Sequence, residues 1–139
     1  MTEEFVTLET AKLLKEKGFK EDVFTFYEVD CVEGDMILSE TYDESENFNE
    51  KNDCLSAPTQ SLAQKWLRET KNIHICVYNC ACGYGYEISK ADNGTHITSS
   101  VYEGTNDGEE WDTYEEALEA GIKAVSYTHL RAHETRGNL

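Results

Sequence analysis

His74, Cys76, Cys80 and Cys82 fall within nine residues, and Cys31 and Cys54 lie further back in the chain. Thiolate and imidazole are the ligands zinc takes in tetrahedral sites, so the residue types suit a small zinc centre. The spacing suits it less. Structural zinc sites pair two short Cys-x-x-Cys-like knuckles, whereas here Cys76 and Cys80 make one spacing and Cys82 follows without a second. If the segment is a strand, His74 and Cys76 project from one face, and both reach an ion only if that face is uncovered. The plainer account makes these thiols small hydrophobes and loop residues of a reducing compartment. A zinc-binding module built on His74, Cys76, Cys80 and Cys82 therefore stands as the alternative reading, and no metal or other cofactor is assigned. Five cysteines, an odd number, also argue against a disulfide framework.

Catalytic arrangements are no better marked. A cysteine nucleophile needs a partner that stabilises its thiolate, and His74 and His96 are the imidazoles available within the first 124 residues. Two residues apart on one strand is not a catalytic spacing. Paired carboxylates cannot be singled out among 28 Asp and Glu. Gly83-Tyr84-Gly85 lacks the following helix and third glycine of a phosphate loop. Neither Asp43-Glu44-Ser45-Glu46 nor Asn106-Asp107-Gly108-Glu109-Glu110 has the ligand alternation of a calcium loop. No catalytic residue is assigned, and the chain reads as leaning away from an enzyme.

Charge is the largest signal. Against those 28 acids stand 12 Lys and Arg, for a formal net charge of −16 over 139 residues. Phosphate-backbone affinity needs clustered Lys and Arg, so direct nucleic-acid binding is not expected. No apolar run approaches the ~20 residues of a membrane span, and Met1-Thr2-Glu3-Glu4 has the wrong sign for a signal peptide, which points to cytoplasm. The acid is concentrated in two stretches. Glu28 to Glu50 holds nine acids and Tyr102 to Glu119 eight, neither with a Lys or Arg. Such surfaces suit a basic protein partner, or serve solubility alone.

Three helices can be placed to carry these residues. The first spans about Thr7 to Lys17, capped by Thr7 and stopped by Gly18, with Phe19 folding back on Leu14. The second opens after Ser56-Ala57 with Pro58 in its first turn, buries Leu62, Ala63, Trp66 and Leu67, and stops at Asn72. The third starts at Thr113-Tyr114-Glu115-Glu116, a capping box, with Tyr114, Ala117, Leu118, Gly121 and Ile122 at i, i+3, i+4, i+7 and i+8. Period-two segments lie between them at Val23 to Val29, Met36 to Ser39, Ile73 to Tyr78, Tyr84 to Ile88, and His96 to Tyr102 after an Asn93-Gly94 turn. The order αββ-αβββ-α predicts one α+β domain over 1–124, its helices on a mostly antiparallel sheet, with an acidic mobile loop at about 41–53. Lys12-Leu13-Leu14-Lys15-Glu16 and Lys65-Trp66-Leu67-Arg68-Glu69 align locally, which ordinary amphipathic grammar explains without a duplication.

Two resemblances bear on origin. Val125-Ser126-Tyr127-Thr128-His129-Leu130-Arg131-Ala132-His133-Glu134-Thr135 resembles the translation of a transposase-derived adapter used in DNA library preparation, and the frame continues through an index to Leu139. Residues 125–139 are accordingly expected to be a non-native tail, and His129, Arg131, His133 and Arg136 to carry no function. The preceding 124 residues hold ten Lys and Arg against 27 Asp and Glu, a charge of about −17. Within them, Leu8 to Phe19, Ala57 to Glu69, Asn72-Ile73-His74-Ile75 and Thr113 to Gly121 resemble a family of small uncharacterised proteins of gut-bacterial phages and prophages. The resemblance covers about residues 5–124 and implies expression in a bacterial cytoplasm. It implies no site residues. The expected function is that of an accessory protein acting by protein contact through its acidic surfaces, including inhibition of a basic nucleic-acid-binding partner.

Overall fold

The computed structural model describes residues 3–30, 32–100 and 110–126. The elements follow the order α1 (Leu8–Glu16), β1 (Thr25–Val29), β2 (Met36–Glu40), a 3₁₀ turn (Phe48–Glu50), β3 (Cys54–Ser56), α2 (Gln60–Lys71), β4 (Ile73–Cys80), β5 (Gly83–Lys90), β6 (His96–Ser99) and α3 (Tyr114–Ala124). This is the α+β class expected from the pattern. The chain divides into two compact units, Met1–Thr59 and Gln60–Leu139. The single expected sheet is instead two three-stranded antiparallel sheets, ordered β2-β1-β3 and β4-β5-β6.

In the first unit, α1 is built by local chemistry. Thr7 Oγ1 accepts the Thr10 amide at 3.4 Å. At the other end Gly18 takes φ +91°, its amide donates to Lys15 O at 3.1 Å, and the Phe19 amide donates to Leu14 O at 3.0 Å. That pairing is a Schellman stop, and it buries Phe19 beside Leu14. β3 has only three residues and no legible alternation, yet it pairs with the far side of β1. The acidic segment over 41–53, expected as a mobile loop, is held at two points. Glu46 exchanges backbone hydrogen bonds with Val23, and Phe48 is buried in a stack on Phe26 with centroids 4.1 Å apart. Asn49 fastens it further, its side chain donating to Phe19 O and accepting the Ser56 amide, both at 2.8 Å.

In the second unit, Asn72 at φ +59° ends α2 and leads directly into β4. Pro58 precedes α2 rather than lying in its first turn, and it belongs to the first unit, where its carbonyl accepts the Val6 amide at 3.0 Å. Asn93-Gly94 closes the β5–β6 hairpin as expected, with Gly94 at φ +74°. β6 is described as far as Ser99; residues 101–109, including the expected continuation to Tyr102 and most of the second acidic stretch, lie outside the described residues. α2 and α3 cover one face of the sheet, burying Ala63, Trp66, Leu67, Ala117, Leu118 and Ile122 against Ile73, Ile75, Tyr86 and Ile88. Tyr114 stays exposed and meets Tyr84 edge-on at 6.3 Å. Val125 and Ser126 are buried beyond α3; the rest of the expected tail, with His129, Arg131, His133 and Arg136, lies outside the described residues.

Thr113 Oγ1 accepts the Glu116 amide at 3.1 Å and donates to Glu116 Oε1 at 3.0 Å, so Glu116 returns to the hydroxyl rather than to the Thr113 amide. Thr113→Ala removes both contacts. It is expected to lower stability by about 0.5–2 kcal/mol in a urea titration, with Thr113→Ser close to wild type.

Candidate functional site

The β4–β5 register decides the fate of the His/Cys cluster. Cys76 lies opposite Glu87, and Cys80 opposite Gly83, on the face away from α2 and α3. His74 shares that face at the Ser89 position. At about 3.4 Å per residue, His74 and Cys80 are roughly 20 Å apart, far beyond the ~2.3 Å bonds of one zinc ion. Cys82 sits past the strand end, in the turn leading to β5. Strand geometry thus separates the four residues that sequence proximity groups. Among the described residues, no three His, Cys, Asp or Glu converge as metal ligands. Cys31 lies outside the described residues.

Among the described residues, no imidazole stands against a thiol. His96 Nδ1 stands 3.6 Å from Glu87 Oε1 at the surface, while Cys76 Sγ lies 4.0 Å from Val77 O. Cys76, Cys80 and Cys82 are exposed and Cys54 is buried. Burial lifts the Cys54 thiol above its ordinary range, and the Asp53 carboxylate beside it, 3.6 Å from Sγ, acts in the same direction. A raised thiol pKa leaves less thiolate at neutral pH. Alkylation of the native protein followed by peptide mass spectrometry is therefore expected to label Cys54 at least about tenfold more slowly than Cys76, Cys80 and Cys82. Equal rates would contradict its burial.

A polar cluster that sequence reading missed occupies the same outer face. The Tyr78 ring lies across Gly85, where a Cβ would collide with the Tyr78 ring and the Glu110 carboxylate. Tyr78 donates to Glu110 Oε1 at 3.3 Å, and its hydroxyl shares a hydrogen bond with Ser100 Oγ at 3.2 Å. Ser100 Oγ also accepts the Tyr86 amide at 3.2 Å. Next to it, Trp111 and Tyr84 exchange backbone bonds of 2.7 and 2.8 Å, and a Cβ on Gly83, at φ +130°, would stand 2.5 Å from Trp111 O. The two glycines are what let this segment lie on β5. A Gly-x-Gly inside a strand pattern is the signal of such close approach.

The first unit carries a different kind of surface. Val29, Ile37 and Leu38 are 46%, 40% and 45% exposed on β1 and β2, and Val32 in the connecting turn is 91% exposed. Around them Glu33, Asp35, Glu40, Asp43 and Glu44 are exposed, with Glu28 and Asp30 half-buried. Of the nine acids from Glu28 to Glu50, Glu46 alone has an ion pair among the described residues, to Lys51 Nζ at 3.0 Å. Exposed apolar side chains thus stand among acids that, Glu46 apart, have no ion pair among the described residues. No family of proteins, no characterised protein and no solved structure matches this chain.

Proposed function

We propose that this is an accessory protein of phage or prophage type that works by protein–protein contact, presenting the acidic surface around β1 and β2 to a basic partner. The observation that carries the reading is the placement of exposed Val29, Val32, Ile37 and Leu38 inside a stretch of nine acids without a Lys or Arg. Apolar groups at the centre of a contact supply affinity, while a surrounding field of one sign selects the partner and speeds encounter. A nucleic-acid-binding protein offers the complementary field, and covering its phosphate-binding surface would inhibit it. The phage setting rests on the resemblance read in the sequence over about residues 5–124 alone.

The test is a photo-reactive side chain placed at Tyr42, which is exposed beside β2, and activated inside a bacterial host. The expected product is a cross-link to the basic surface of one protein. Neutralising the field with Glu33→Gln, Asp35→Asn, Glu40→Gln and Asp43→Asn together should weaken that association about tenfold or more. Unchanged capture by the neutralised variant would overturn the proposal.

A further inference from the structure

The ladder between β1 and β2 fixes which backbone groups β2 leaves for others. The Thr41 amide donates to Phe24 O at 2.8 Å and the Asp30 amide to Asp35 O at 2.6 Å. Phe24 with Thr41, and Asp30 with Asp35, are therefore hydrogen-bonded pairs. By antiparallel alternation, so are Phe26 with Ser39 and Glu28 with Ile37 in the same register. Met36, Leu38 and Glu40 fall at the intervening positions. Their N–H and C=O groups point away from β1, along the free edge of the sheet in which β2 is outermost. No hydrogen bond to these groups occurs among the described residues.

We propose that this edge takes up an extended, basic segment of a partner protein as a fourth strand, pairing with the backbone of Met36, Leu38 and Glu40. The inference rests on the acidic-contact reading and adds its mode. Natural sheets protect an open edge with lysine, proline, a bulge or a cover. β2 has none of the first three in Met36-Ile37-Leu38-Ser39-Glu40 and pairs with β1 in unbroken register. Its charges are acids, flanking the apolar residues at Asp35 and Glu40 and continuing at Glu33, Asp43 and Glu44. That arrangement repels a second copy of a chain with net charge −16 and attracts a strand bearing Lys or Arg. On the face shared by Met36, Leu38, Val29 and Tyr27, apolar residues of the incoming strand would lie beside Met36 and Leu38, with a Lys or Arg opposite Glu40. Backbone pairing supplies affinity, and these side-chain positions supply choice.

The probe is a synthetic peptide of about seven residues, a common strand length, alternating Val with Lys; its Val–Glu counterpart is the control. Each is titrated into the full chain while backbone amides are followed by NMR. The Val–Lys peptide is expected to protect the Met36, Leu38 and Glu40 amides from exchange, and to leave the already paired Ile37 and Ser39 amides little changed. Leu38→Pro removes an outward N–H without touching the ladder to β1, and should weaken binding about tenfold or more. Leu38→Lys, which keeps the backbone intact and adds like charge, should weaken it as well, so the proposal does not hang on one variant. Three outcomes overturn strand addition: binding without protection at Met36, Leu38 and Glu40, no binding, or protection of those amides by self-association before peptide is added. Each leaves the acidic-contact reading to be judged separately, by capture with the neutralised variant. Equal binding of the Val–Glu peptide overturns both.

Discussion

Tyr86→Ala is expected to remove about 3–5 kcal/mol of stability from the second unit, the range for deleting a buried aromatic side chain. Tyr86 is 1% exposed, stacks on Trp111 with ring centroids 5.7 Å apart, and lies under α3 where that helix crosses the sheet. Truncation opens a cavity beside Ile75, Gly121 and Trp111, and the strand and helix backbones that carry Ile75 and Gly121 cannot collapse inward independently. Trp66 and Trp111 both belong to the second unit, so tryptophan fluorescence in a urea titration reports the loss there. A midpoint within error of wild type would mean that Tyr86 does not anchor this core.

Gly121→Leu should act on the same contact from the opposite side. Gly121 has ordinary helical backbone, so no left-handed turn requires glycine there. Space requires it. A Cβ at this position would stand 2.8 Å from Ile75 Cγ2 and 3.3 Å from Tyr86 Cγ. Alanine brings a helix-propensity gain of about 1 kcal/mol that offsets part of the crowding. Leucine adds three further carbons with nowhere to go, and the expected loss is about 1–3 kcal/mol or more. Because Tyr86→Ala empties space next to Gly121, the double variant should be more stable than the sum of the single losses implies, by about 0.5–3 kcal/mol. Strict additivity in the urea titration would show that the two residues do not share a contact.

What was legible in the sequence was what neighbouring residues decide. Thr7, Gly18 and Phe19 act within one turn of α1, as Thr113 and Glu116 do at α3, so the caps could be read from spacing alone. Long-range pairing could not. Cys54-Leu55-Ser56 becomes a strand only because Phe26, Tyr27 and Glu28 offer it an edge about 28 residues earlier, which also separates the strands into two sheets. The same limit applies to the site. His74, Cys76, Cys80 and Cys82 are close in sequence, but an eight-residue strand draws His74 and Cys80 to opposite ends. Conversely, Tyr78, Ser100 and Glu110 are distant in sequence and meet over Gly85. The repeated Lys-x-Leu-x-Glu pattern of α1 and α2 also does not extend to topology. β1 is central in the first sheet, whereas the second runs β4-β5-β6 in chain order. Met36-Ile37-Leu38 was readable as a strand within an acidic stretch, but its place at the outside of the sheet was not.

The proposed acidic contact is tested most directly by the salt dependence of association between the full chain and whichever protein cross-linking from Tyr42 captures. Screening shortens the reach of exposed charges to about 3 Å at 1 M ionic strength, from about 10 Å at 0.1 M. A contact selected by the Glu28–Glu50 field should therefore weaken by about tenfold or more between about 50 mM and 500 mM NaCl, chiefly through a slower association rate. An affinity and association rate unchanged across that range would contradict the account, because the acids around β2 would then play no part in choosing the partner.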